Sequence, residues 1–154
     1  MRLPRAVLPL LALAAATACD GSTTAPTDQD LVGTWSIEPS SVIVPGGGVQ
    51  QMTVRFGGRG DYTLETATYG GAGAAELVAY DKTVGSVTTE DGALRLHPSG
   101  AVSWDRRSPG YLDLPLFDTQ PWQRLPLSYQ VSGDQLVLRL PRGNDSMVLS
   151  RRDE

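Results

Sequence analysis

The feature that most narrows the folds open to this chain is the two-residue beat of its apolar side chains. Met52, Val54 and Phe56 alternate with Gln51, Thr53 and Arg55, and Tyr62 and Leu64 alternate with Asp61, Thr63 and Glu65. A β-strand turns successive side chains to opposite faces, whereas a helix brings every third or fourth to one face, so this spacing predicts half-buried strands. Gly57, Gly58, Arg59 and Gly60 separate the two runs and include residues that accept positive φ, which predicts a hairpin. Leu136, Leu138 and Leu140 repeat the pattern, divided from Leu127, Tyr129 and Val131 by Ser132, Gly133 and Asp134 as a second hairpin. Residues 141–145 form a further turn, after which Met147, Leu149 and Arg151 share one face of a last strand. Strands are also expected over residues 31–37, 76–80, 83–89 and 93–97, with Glu90, Asp91 and Gly92 as a turn. No amphipathic helix is expected in the mature chain.

Roughly eight to ten short strands in succession, mostly joined by short turns, favour an antiparallel meander. Closing it on itself removes exposed edges, so the expected fold is all-β, an up-and-down antiparallel barrel of about eight strands. Such a barrel is either filled by its own side chains or just wide enough for one small ligand. An open sandwich is the alternative. The 17 glycines and 11 prolines among 154 residues exceed the usual combined share of about 12% and fit a turn-rich protein. Residues 30–152 are enough for one domain and one core.

The N-terminus carries a different message. Arg2 and Arg5 precede a short apolar run over residues 6–15, interrupted by Pro9. A bilayer-spanning helix needs about 20 apolar residues, so the run reads as a secretion signal over residues 1–18. Ala16, Thr17 and Ala18 precede Cys19, the only cysteine in the chain. This segment resembles the lipobox of bacterial lipoproteins. The resemblance implies cleavage before Cys19, diacylation of its thiol by chains such as palmitate, and acylation of the new amino terminus. Ordinary signal cleavage after Ala18, leaving a free thiol, is the alternative. Two or more acyl chains give stable anchoring, since each buried methylene contributes about 0.8 kcal/mol. The expected location is the cell envelope, lipid-anchored to a bacterial membrane on its periplasmic or outer surface. Residues 19–29 lack large apolar side chains and read as a tether. Removing Arg2 and Arg5 with the signal leaves 11 basic against 17 acidic residues, a net charge of about −6, which argues against nucleic acid as a partner.

Gly33, Thr34 and Trp35 in the first strand are similar to the G-x-W signature of lipocalins and their calycin relatives. Residues 129–136 and the ending Leu149, Ser150 and Arg151 are similar to bacterial lipocalin-like domains. The resemblance implies that Trp35 closes one end of the barrel and that Arg151, in phase with Met147 and Leu149, packs across its ring while Arg152 points outward. It further implies a pocket for a small hydrophobic ligand. Read without the resemblance, Trp35 is a buried aromatic of any β domain.

Catalytic chemistry finds little support. His97 is the single histidine, and Pro98 beside it suggests a strand end or turn. One histidine and an acylated cysteine cannot supply the three or four ligands of zinc. No G-x-S-x-G elbow frames a serine. Asp105, Asp113 and Asp118 are read as solvated carboxylates, residues 70–73 as a flexible connection, and Asp28, Asp30, Asp91, Asp134 and Asp145 as tether or turn residues. The expectation is a monomeric protein without cofactor, metal or enzymatic activity. Residues 104–125 stand apart, because Trp104, Arg106, Tyr111, Phe117 and Trp122 gather there in what reads as one long loop. Aromatic and arginine side chains are enriched in contact surfaces, so the loop is either a ligand lid or contact surface, or structural cover. Two functions follow: a carrier of a small hydrophobic molecule, or a filled barrel that binds another envelope protein as an inhibitor-like or scaffold domain.

Overall fold

The computed structural model describes residues 28–37, 43–44, 48–71, 73, 75–115, 121–141 and 145–153. The signal, Cys19, most of the tether and Phe117 lie outside them. Ten strands form one sheet: β1 (Gly33–Ile37), β2 (Ile43–Val44), β3 (Gly48–Phe56), β4 (Asp61–Gly70), β5 (Glu76–Glu90), β6 (Ala93–Asp105), β7 (Ser108–Asp113), β8 (Leu127–Ser132), β9 (Gln135–Arg139) and β10 (Ser146–Arg152). A short 3-10 helix, Pro121–Arg124, precedes β8. Eight strands close a ring in the order β1, β10, β9, β8, β6, β5, β4, β3 and back to β1, all antiparallel. The fold is therefore a closed up-and-down barrel. β2 and β7 lie outside the ring, each paired with one strand, β3 and β6 respectively.

Register explains which side chains meet inside. Trp35, Val54, Leu64, Thr83 and Ala101 stand opposite one another across successive strands and all face the core. The row below it joins Gly33, Phe56, Tyr62, Gly85 and Pro98. Leu31, from the turn before β1, is fully buried and plugs this end of the barrel. Ile37, Val87, Leu94, Leu96, Leu127, Leu136, Leu138 and Leu149 complete the core. Each such side chain contributes about 1.5–3 kcal/mol on burial. At the far end the row Met52, Thr66, Asp81 and Ser103 is mostly polar and partly exposed.

Three expectations need correction. Residues 76–80 and 83–89 are not separate strands but one, the 15-residue β5. Asp81 and Lys82, which broke the apolar pattern, are paired with Ser103 and Val102 in the same ladder. His97 is not at a strand end, because β6 continues through Pro98 to Asp105. The register shifts between Val84 and Gly85, opposite this stretch, and proline is tolerated in a strand at such a bulge. A Cβ on Gly85 would run into the His97 carbonyl and the Tyr62 ring, so only glycine lets the strands and that ring approach so closely. Finally, residues 104–125 are not one irregular loop. They contain the end of β6, the whole of β7 and the 3-10 helix.

Candidate functional site

The plugged end carries a tightly specified cluster. Gly33 adopts φ +136°, a conformation that L side chains rarely take, and a Cβ there would lie 2.6 Å from Nη1 of Arg151. That opening lets Arg151 lie over Trp35, its guanidinium carbon 4.1 Å from the ring centroid, a contact worth about 0.5–2 kcal/mol. Arg151 Nη1 donates to the Val32 carbonyl at 2.8 Å and Nη2 to the Asp30 carbonyl at 2.9 Å. The buried indole Nε1–H of Trp35 donates to the Leu31 carbonyl at 2.8 Å. Arg152 faces the other way, and its Nε donates to Ser36 Oγ at 2.6 Å.

One further fastening has no local signature. Tyr129 Oη donates to Asp28 Oδ2 at 2.6 Å across 101 residues of chain. This bond holds the Asp28 carboxyl below its ordinary value, and burial, with Asp28 adding to it, pushes Tyr129 up to about 12. Asp28 reads as tether in the sequence but is bound to the barrel, so the ordered body begins at or before it.

Tyr62 Oη inside the barrel and Gln123 Oε1 on the 3-10 helix are buried without a hydrogen-bond partner among the described residues, and burial raises Tyr62 to about 12. No group of three or more His, Cys, Asp or Glu that could hold a metal occurs among the described residues. His97 lies on the outer surface, its Nε2 3.2 Å from Thr88 Oγ1. Asp105 accepts a hydrogen bond from the Arg107 backbone at 2.7 Å, and Asp113 ends β7. Asp118 lies outside the described residues. No helix among those residues is long and apolar enough to cross a membrane.

The outer wall is where the remaining sequence candidates fall, though not together. Trp104 stands opposite Tyr80 on one side and Tyr111 on the other, and the two tyrosine rings meet edge to face at 6.4 Å. Arg106 pairs with Glu76 at 2.5 Å. Trp122, by contrast, packs against the core from the 3-10 helix. Tyr80 had no distinguishing signal in the sequence, because its place in the row depends on register. Among the described residues, hollows open on this wall. One of about 360 Å³ is lined by Val84, Ala101, Val102 and Leu114 with Lys82 and Asp113. Another, about 280 Å³, is polar and lined by Thr34, Thr53, Arg55, Thr63, Glu65 and Lys82.

No family model and no curated protein matches the chain. Among solved structures it is similar to the lipoprotein YedD from Klebsiella pneumoniae, with 14% identity and a TM-score of 0.41 over 85% of this chain and 79% of that one. At these levels the assignment of the fold rests on the strand pairing itself.

Proposed function

We propose that the chain is an exported lipoprotein, anchored through Cys19 in a bacterial envelope membrane, whose lipocalin-like barrel is filled and acts through its outer wall as a non-catalytic interaction domain. The observation that carries this reading is the occupation of the barrel by its own side chains: Leu31, Trp35, Phe56, Tyr62, Leu94 and Leu136 are each no more than 2% exposed. A carrier of a small hydrophobic molecule would need apolar room in the interior. Beyond the packed core, the inward row begins with the apolar Ile37 and Met52 and continues through Thr66, Asp81 and Ser103, which offer polar groups. Both hollows described above open on the outer wall. The anchor reading is supported by Ala16, Thr17, Ala18 and Cys19 after a short apolar run.

Titration with a panel of fatty acids and apolar dyes, read by tryptophan fluorescence, should give no saturable response. A stoichiometric response at micromolar concentration would overturn the filled-barrel reading and restore the carrier. For the anchor, Cys19→Ala should move the protein from the membrane to the soluble fraction and abolish acylation of the mature N-terminus.

A further inference from the structure

β7 leaves one edge of the sheet open. It pairs with β6 through Val102 with Asp113, Ser103 with Leu112 and Trp104 with Tyr111. Just beyond, the Leu114 N–H donates to the Ala101 carbonyl at 2.8 Å. Hydrogen-bonded and non-hydrogen-bonded pairs alternate along an antiparallel ladder. Leu114 and Leu112 therefore aim their backbone groups at β6, and the N–H and C=O of Tyr111 and Asp113 turn the other way. Among the described residues no strand meets them there. Pro109 has no N–H, and the register shifts between Tyr111 and Ser108, so along the regular part of the edge the donors are those of Tyr111 and Asp113.

The surroundings indicate what would fit. Tyr111 and Leu112 are 69% and 59% exposed and project to opposite faces of β7, so a strand laid beside it would cover both. The apolar hollow of about 360 Å³ lies against Asp113 and Leu114. Lys82 on its far rim is paired with Glu65 at 3.3 Å and Arg106 with Glu76, whereas Asp113 has no salt bridge among the described residues. A carboxylate without an ion pair among the described residues, beside an apolar hollow, complements a side chain with an aliphatic stem and a positive head. A second copy of this chain fits less well. Pairing two β7 strands antiparallel turns one barrel upside down relative to the other, and Asp28, where the described residues begin, would lie on opposite sides of the pair.

We propose that β7 is a strand-addition site for an extended segment of another envelope protein, with alternating apolar side chains and a lysine or arginine placed to reach Asp113. Main-chain bonds to Tyr111 and Asp113 supply the docking, and the charge supplies the choice of partner. The proposal rests on the reading of the barrel as a surface-acting domain.

The test uses the mature protein in detergent micelles and two synthetic peptides of about seven residues, alternating valine with lysine or valine with glutamate. The lysine peptide should slow hydrogen exchange of the Tyr111 and Asp113 amides by about tenfold or more, and the glutamate peptide should bind about tenfold more weakly. Tyr111→Pro removes one edge donor without touching a bond to β6 and should abolish the protection. Asp113→Asn, which leaves the backbone alone, should erase the preference for lysine over glutamate. Equal binding of both peptides, or protection confined to other strands, overturns the proposal. So does slow exchange of these two amides in the protein alone together with sedimentation as a dimer. In cells, a partner that crosslinks as well to the Tyr111→Pro variant overturns the β7 site but leaves the surface-acting reading standing. A saturable fatty-acid response overturns that reading as well.

Discussion

At the plugged end, Gly33, Phe56, Tyr62, Gly85 and Pro98 face inward in one row, sealed by Leu31 and fastened by Arg151. Further along the same strands the inward row is Met52, Thr66, Asp81 and Ser103, while the aromatic side chains Tyr80, Trp104 and Tyr111 have moved to the outside. One sheet thus contains two regimes. Where the wall closes, apolar residues point in and backbone geometry is exacting. Where β5, β6 and β7 run past the core, the polarity of the faces reverses and apolar area is presented to the surroundings. Buried and exposed apolar area thus fall at different ends of the same strands.

The contrast can be broken first at Trp35. Trp35→Ala should cost about 3–5 kcal/mol in urea denaturation, and Trp104→Ala about 1 kcal/mol or less. Comparable losses would show that the two ends do not differ as described. Arg151→Met should cost about 2–3 kcal/mol, because it removes two charge-assisted hydrogen bonds and the contact over Trp35. Gly33→Ala should cost about 1–3 kcal/mol from its backbone conformation alone.

Ionisation sharpens the comparison. Tyr62 and Tyr129 are raised from 10.0 to about 12 in the folded protein, so their contribution is complete below pH 10 and is lost as the pH rises towards 12. Tyr62→Phe should flatten part of that alkaline loss. At neutral pH it should change stability by less than about 1 kcal/mol, since its hydroxyl has no partner. Asp28 behaves in the opposite sense. Its carboxyl is held below 3.8, so its contribution is present above that value and disappears as the pH falls through the folded value. Asp28→Asn should remove that acid sensitivity in a thermal-melt series. The smallest effect is expected at the far end, where Leu112→Ser should alter the melting free energy by about 0.5 kcal/mol or less.

The alternation of residues 52–56 and 61–65, and of 127–131 and 136–140, was enough to read the strands of both hairpins, because one face of each is buried and the other is wet. β5 and β6 were harder to follow. Their upper halves carry Asp81, Lys82 and Ser103 at positions where a barrel wall would ordinarily hide apolar groups, so the periodic signal fades although the pairing continues. β7 reads as loop for a related reason: Pro109 and Gly110 are turn residues by local chemistry, and only pairing of the residues around them with β6 makes the segment a strand. Gly33, Trp35 and Arg151 were named together through a family resemblance, whereas the bond between Asp28 and Tyr129 depends on a register between distant segments that no local pattern encodes. Trp122 shares its composition with Trp104 but not its surroundings, and one dimension cannot separate a ring that packs inward from one that faces out.

The position of β1 between β3 and β10 has a consequence in time. Thr34 meets Arg152 across most of the described residues, so a chain delivered N-terminus first cannot complete its circle until β10 arrives. Until then β1 and β9 each lack a neighbour, and any cut that removes β10 leaves the ring open between them. The order of assembly is written into the topology: whatever holds the front of the molecule must wait for its back before the wall is whole.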